Sequence, residues 1–488
     1  MASCIYGIDM RVAIIGAGMA GILSAIKLTE AGFDEVTVYE KADRLGGTWR
    51  ENTYPGIACD VPSHLYSYSF HLNPEWSHPF SPGQEIQAYL ERVAHDHHVD
   101  RLIRFGEEIT TCAWNDRRWH LDTATGHHEV ADFVIAATGV LHHPNHPDIK
   151  DIDTFEGSIF HSSRWDHSAT IDGTRVGIIG TGSTAVQMVS AVVDRAQKLS
   201  LFQRTAQWIM PQENPAYDDE ERADWGQNPA KLQQLHQSLS ELFTNFANGI
   251  VDAESPEMAM IAEMCRQNLE GNVIDPVLRE RLRPNYRAAC KRLVISPNFY
   301  ESIQKENAEL VAEPIDHIEA GGIRTVDGRL HALDVIVLAT GFKVDAFMRP
   351  MSVIGRDGMD LAKAWADRPN AYLSISIPEF PNFAMVNGPN GPVGNFSLIE
   401  VAEMQFGYIM QLMELVNSGE CREISATRSA TDRFEAERVE AAANTIWSTG
   451  CRSWYLDDRG IPATWPWSFG RFCTEMERPK LDAFDRRP

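Results

Sequence analysis

The stretch RVAIIGAGMAGILSAIKL, residues 11–28, constrains the possible folds more than any other part of the chain. A short apolar run, Val12 to Ile15, leads into a turn carrying Gly16, Gly18 and Gly21. Beyond it, Ile22, Ala25, Ile26 and Leu28 recur at helical spacing. A strand, a glycine turn and a helix in that order make the dinucleotide-binding opening of a Rossmann unit. Gly16 permits the tight turn, Gly18 lets a pyrophosphate approach the backbone, and Gly21 lets helix pack on strand. The phosphates then sit at the helix N-terminus, where free N–H groups and the dipole favour anions. The next apolar run, EVTVYE, ends at Glu40, a carboxylate suited to a free ribose diol.

The pattern recurs in RVGIIGTGSTAVQMVSAV, residues 175–192, where Gly180, Gly182 and Ala185 follow the run Val176 to Ile179. Its next apolar run, LSLFQR, ends at Arg204. The two acid-or-base positions are matched, since 40 − 16 and 204 − 180 are both 24. An arginine there pairs with a 2′-phosphate; a plain surface charge is the other reading. The first unit therefore reads as an FAD site and the second as an NADPH site. Two further apolar runs, DFVIAATGV and DVIVLATGF, each end in Ala-Thr-Gly and would return the chain to each parallel sheet. The expected fold class is α/β, with two Rossmann-like dinucleotide-binding domains, for FAD and NADP, and a helical insertion. The FAD domain is expected in two parts, 1–142 and 344–488, around an NADP domain at 150–343. The insertion is expected at 211–289, where apolar residues at 232, 235, 239, 242, 243 and 246 form a helical stripe suited to a core or an interface.

Composition narrows the function. A net charge of −24 argues against nucleic acid and anionic membranes as partners. No apolar run approaches the ~18 residues of a membrane span. The opening MASCIYGIDM lacks a basic and apolar leader, so a cytoplasmic location is expected. The 8 cysteines are scattered, without CxxC or metal-ligand spacing. Reduced thiols and no metal are the expectation. A flavin reduced by NADPH could reduce a disulfide, serve another acceptor or react with oxygen, and the absence of a close dithiol disfavours the first. Between the two units lies FEGSIFHSSRWD, residues 155–166, whose apolar positions follow neither helical nor strand period. It reads as a connector with His161 an ordinary hydrogen-bonded residue.

That connector, together with GGTWRENTYPGIACD at residues 46–60, resembles the two signatures of the Baeyer–Villiger monooxygenases, within the class B flavoprotein monooxygenases. Phe155, Gly157, His161, Trp165 and Asp166 match one signature. Gly46, Gly47, Trp49, Tyr54, Pro55, Gly56 and Asp60 match the other. The resemblance extends from about residue 10 to WSTGCRSWYLDDRG, residues 447–460. It implies that NADPH reduces FAD, that oxygen adds at flavin C4a, and that the peroxide converts a ketone to an ester or lactone. It implies a small ketone and O2 as partners, Arg292 as the catalytic arginine and Asp60 as the carboxylate that orients it. Lys291 is implied to join Arg204 on the 2′-phosphate. Gly47, Thr48, Trp49, Asp60 and Tyr66 are implied near the flavin. Thr181, Ser183, Thr184, Gln187 and Thr205 are implied near the NADP, and Trp454 near the nicotinamide; each could instead be a packing or loop residue. In the family, the connector couples cofactor movement to catalysis and insertions cover the active site. RENT at residues 50–53 departs from the best-known cyclic-ketone enzymes, which carry a further tryptophan there. An N- or S-oxygenating flavin enzyme is the competing catalytic reading, and a flavoprotein sensor of NADPH the non-catalytic one. The substrate and the oligomeric state are not readable.

Overall fold

The computed structural model describes residues 10–394 and 396–488. Two five-stranded parallel sheets organise it. In the first, the strand order is Phe383–Met385, Phe133–Ala136, Val12–Ile15, Val36–Glu40 and Ile103–Phe105. In the second it is Ala308–Val311, Lys198–Phe202, Arg175–Ile179, Val335–Leu338 and Ser158–His161. Each glycine-turn strand is central in its sheet, and each strand preceding Ala-Thr-Gly pairs beside it. Ligands of such sheets bind beyond the carboxyl ends of the strands, so both sheets aim a glycine turn at one region.

The apolar runs are continuous because both faces of the strands are covered. Val12 and Ile14 pack into one core and Ala13 and Ile15 into another on the opposite face. Ile14, Ile22 and Leu23 are fully buried, and each such aliphatic side chain contributes about 1.5–3 kcal/mol. Four helices, Asp219–Gln227, Pro229–Ile250, Pro256–Asn272 and Pro276–Arg281, occupy the region read as an insertion. The stripe on Pro229–Ile250 is only partly as expected. Leu232 is buried and Leu239 and Phe243 pack on the first core, but Leu242 is 67% exposed and His236 is buried. The His236 ring is accommodated because Nδ1 lies 2.7 Å from the His64 carbonyl, satisfying a polar atom that the apolar periodicity cannot register.

Two expectations are corrected. Ser158–His161 is a strand, the edge of the second sheet, paired in parallel with Val335–Leu338. Edge strands need no regular apolar alternation, which is why the period failed there. Cys290 and Cys451 are joined in a disulfide across 161 residues of sequence, where reduced thiols were expected. Long-range pairing of this kind leaves no local spacing.

Buried His64 and His161 and half-buried His142 are each pushed down to about 4, chiefly by burial. Unfolded histidine takes up its proton near 6.5. Between pH 6.5 and about 4 the unfolded chain therefore binds more protons, and stability falls as pH falls. The melting temperature is expected to be clearly lower at pH 5 than at pH 7. A midpoint that is flat over this window would show that these rings do not stay neutral in the folded chain.

Candidate active site

Every residue given a catalytic or cofactor-binding role in the sequence reading, except Gly21, lines one cleft of about 1380 Å³ between the two sheets. Gly21 lies behind it, where a Cβ would overlap the Gly16 carbonyl, so its role is helix-on-strand packing. Gly16 and Gly180 have φ of +103° and +123°, backbone that side-chain-bearing residues rarely adopt. A Cβ on Gly182 would meet no atom within 4 Å. That open space in front of the Ser183–Val192 helix N-terminus is the shape a pyrophosphate needs.

Glu40 is 5% exposed, and its carboxylate accepts from the Ala17 and Ala42 amides at 2.9 and 3.0 Å. Arg50, which the sequence reading left without a role, lies 3.0 Å from Glu40 Oε1 and also donates to Glu51 at 3.1 Å. Trp49 Nε1 donates to Tyr66 Oη at 3.3 Å, their rings edge to face. At the other cradle, Thr181 Oγ1 donates to the Thr205 carbonyl at 2.7 Å. Arg204 and Lys291 both face the cleft, and neither has a carboxylate partner among the described residues. Burial first, and then the neighbouring Arg204, lowers the Lys291 ammonium. Two unpaired cations side by side make a place for an anion.

Arg292 stands where the cradles meet. Nη2 lies 2.5 Å from Asp60 Oδ2, and Nη1 donates to the Gly394 carbonyl. Burial opposes the charged form of Arg292, but the Asp60 carboxylate prevails and holds the guanidinium above its ordinary range. Tyr455 closes the group from below. It is 3% exposed, with Oη 3.5 Å from the same Gly394 carbonyl. Trp454 is 39% exposed at the cleft mouth and packs on the Tyr455 ring at 4.2 Å.

The two signature stretches find separate uses. Tyr54 Oη donates to Gln187 Oε1 at 2.8 Å, and Gln187 Nε2 donates to the Ala58 carbonyl at 3.0 Å. A Cβ on Gly56, whose φ is +83°, would lie 2.6 Å from the Gln187 carbonyl. The first signature thus seats the helix of the second cradle. In the other stretch, a Cβ on Gly157 would overlap the Asp334 carbonyl. His161 Nε2 lies 3.0 Å from the Gly341 carbonyl, and Nδ1 accepts from the Ser163 amide at 3.2 Å. His161 does not line the cleft and both its nitrogens are engaged, an architectural residue that ties the edge strand to the Ala-Thr-Gly turn.

The site residues missed by the sequence reading are Arg50 and Gly394, which line the cleft, and Tyr455, buried behind it. Arg50 lies inside a quoted signature, so its charge was a visible signal. Tyr455 follows Trp454 within a quoted stretch, which was its visible signal, whereas Gly394 meets Arg292 only through tertiary folding and nothing near it in sequence announces that.

Known proteins resemble the chain along nearly its whole length. The family described as pyridine nucleotide-disulphide oxidoreductase matches residues 13–222. An uncharacterized monooxygenase of Mycobacterium tuberculosis is 46% identical over 98% of this chain and 96% of its own length. A Baeyer–Villiger monooxygenase of Streptomyces coelicolor is 38% identical over 97% of this chain and 92% of its own. Among solved structures, OTEMO in complex with FAD and NADP superposes with a TM-score of 0.88 at 25% identity, covering 99% of this chain and all of that one. Two glycine cradles alone would explain a match over the first half of the chain, but not identity at this level along nearly its whole length: the chain belongs to the Baeyer–Villiger monooxygenase family.

Proposed function

We propose that the protein is an NADPH- and O2-dependent flavoprotein monooxygenase that converts ketones to esters or lactones. The overall balance is ketone, NADPH, H⁺ and O2 giving ester, NADP⁺ and water. FAD would be held in the first cradle, by Gly16, Gly18 and Glu40 at its adenosine half and by Gly47, Thr48, Trp49 and Tyr66. NADP occupies the cradle of residues 150–343, held by Gly180, Gly182, Thr181, Ser183, Thr184, Gln187 and Thr205. Arg204 and Lys291 would bind the 2′-phosphate, and Trp454 would stand near the nicotinamide. Bound FAD, once reduced by NADPH, supplies the electrons that activate O2.

The observation that carries this reading is Arg292, a fixed cation held by Asp60 and Gly394 at the junction of the cradles. As an oxygen nucleophile adds to a ketone, negative charge develops on the carbonyl oxygen. A preorganised guanidinium stabilises that charge without reorganising, the kind of effect that is usually the largest catalytic contribution. Asp60 aims the guanidinium and keeps it charged, while the surrounding cleft limits water. The test is a panel of cyclic, linear and aryl ketones with NADPH, followed by mass spectrometry. A gain of one oxygen as ester or lactone is the expected product; N- or S-oxides without esters from matched amines and thioethers would overturn the reading.

The cradle assignment has its own test. Gly182→Glu places a charged side chain in the open space of the second cradle. NADPH binding is expected to be lost while the protein remains yellow with FAD. Loss of flavin with NADPH binding retained would reverse the assignment of the two cradles.

A further inference from the structure

The Cys290–Cys451 disulfide joins two stretches that have no helix or strand of their own, residues 282–293 and 449–468. Each cysteine stands directly before residues that face the cleft. Lys291 and Arg292 follow Cys290, while Arg452, Ser453 and Trp454 follow Cys451. The two cysteines are 0% and 6% exposed and share an apolar cluster with Ile446, Trp447 and Tyr455. Tyr455 is packed between Trp447 and Trp454, with ring centroids 5.5 and 4.2 Å away. Its hydroxyl reaches the Gly394 carbonyl to which Arg292 also donates. Gly394 has φ of +96°, and a Cβ there would overlap the Tyr455 hydroxyl, so the backbone is shaped to admit that oxygen.

An arginine side chain has much rotamer freedom to lose, and one carboxylate leaves it free to swing. Around Arg292 the structure adds the Gly394 carbonyl, the Tyr455 phenol and a covalent tie between the loop that carries Arg292 and the loop that carries Tyr455. We infer that the Cys290–Cys451 disulfide and Tyr455 form one positioning unit, which fixes the direction of the Arg292 guanidinium in the cleft. This rests on the catalytic reading of Arg292. A disulfide with a merely structural role would act on the unfolded chain and move the melting temperature alone. A positioning role moves the fraction of NADPH oxidation that ends in ester, with the remainder released as hydrogen peroxide.

The experiment uses full-length holoenzyme purified without reductant. Thiols are counted after denaturation, and Cys290 and Cys451 are expected to escape reaction. Treatment with dithiothreitol should raise the count to eight: the reagent yields two hydrogens and closes its own S–S bond, while Cys290 and Cys451 become thiols. Tyr455→Phe removes one oxygen and Cys451→Ser removes the tie. Each is expected to lower ester formed per NADPH by up to about tenfold, the effect of loosening the group that Tyr455, the Gly394 carbonyl and Arg292 form by about one hydrogen bond. Flavin content, NADP⁺ affinity and the rate of flavin reduction should be unchanged in Tyr455→Phe, which keeps the inference testable even if Cys451→Ser does not fold. Eight reactive thiols before reduction would overturn it. So would full ester yield in Tyr455→Phe under conditions where Arg292→Ala makes none. Ester production by Arg292→Ala would instead bring down the reading of Arg292 itself.

Discussion

Arg292→Ala is expected to abolish ester formation while both cofactors still bind. The cradles are built from other strands and turns, so flavin content and reduction by NADPH should persist. The loss should fall on turnover, because the guanidinium matters where negative charge develops. Removing a single neutral donor of this kind costs about a hundredfold to a thousandfold, and a full charge at least that. Arg292→Lys is expected to fail as well. Arg292 meets Asp60 and the Gly394 carbonyl with two different nitrogens, and an ammonium offers one compact charge on a different stem. Asp60→Ala should be milder, since the Gly394 carbonyl still orients the side chain. Ketone conversion measured beside stopped-flow flavin reduction decides the matter. Near-normal ester production by Arg292→Ala would sink the mechanism.

Arg204→Ala should raise the Michaelis constant for NADPH by about tenfold to a hundredfold, and that for NADH far less. A hydrogen bond to a charged group contributes on the order of 1.5–3 kcal/mol, which sets this range. The structure adds a reason beyond the motif. Arg204 and Lys291 face one space with no carboxylate between them, and Arg204 already depresses the Lys291 ammonium. A bound phosphate relieves that repulsion, so Lys291→Ala should move the constant in the same direction. Raised salt should narrow the preference for NADPH, since the pair is only partly buried. Equal weakening toward both nucleotides would show that the phosphate lies elsewhere.

The glycine turns were legible because their constraint is local. Gly16 needs its positive φ and Gly21 its missing Cβ for reasons contained in about ten residues of chain. The residue closing the next strand sits at a spacing that the strand–helix–strand unit dictates, so Glu40 and Arg204 could be counted to. Arg292 was different: in isolation it is one basic residue beside another, and only the resemblance singled it out. Its partners Gly394 and Tyr455, and the disulfide behind them, arise where residues 290, 394 and 451–455 converge, and no periodicity spans such distances. The edge strand Ser158–His161 was unreadable for a milder reason. Its pairing with Val335–Leu338 supplies the order that its own side chains do not announce. Leu242 marks the opposite limit, an apolar residue in a correct helical stripe that nonetheless faces solvent.

The unequal way in which the two sheets recruit their strands bears on how the chain is made. Every strand of the second sheet lies between Ser158 and Leu338, in one uninterrupted stretch. The first sheet takes four strands from before residue 137 and its fifth from Phe383–Met385. During synthesis the inner sheet has all its strands once Leu338 has emerged, whereas the outer one, begun earlier, must wait for Met385. Its Phe133–Ala136 edge stays unpaired through all of that interval, a row of open backbone groups of the kind that invites association with other chains. The nested arrangement that sets two cradles face to face thus leaves the newborn protein vulnerable at Phe133–Ala136, and a slow ribosome between residues 137 and 383 would lengthen that exposure.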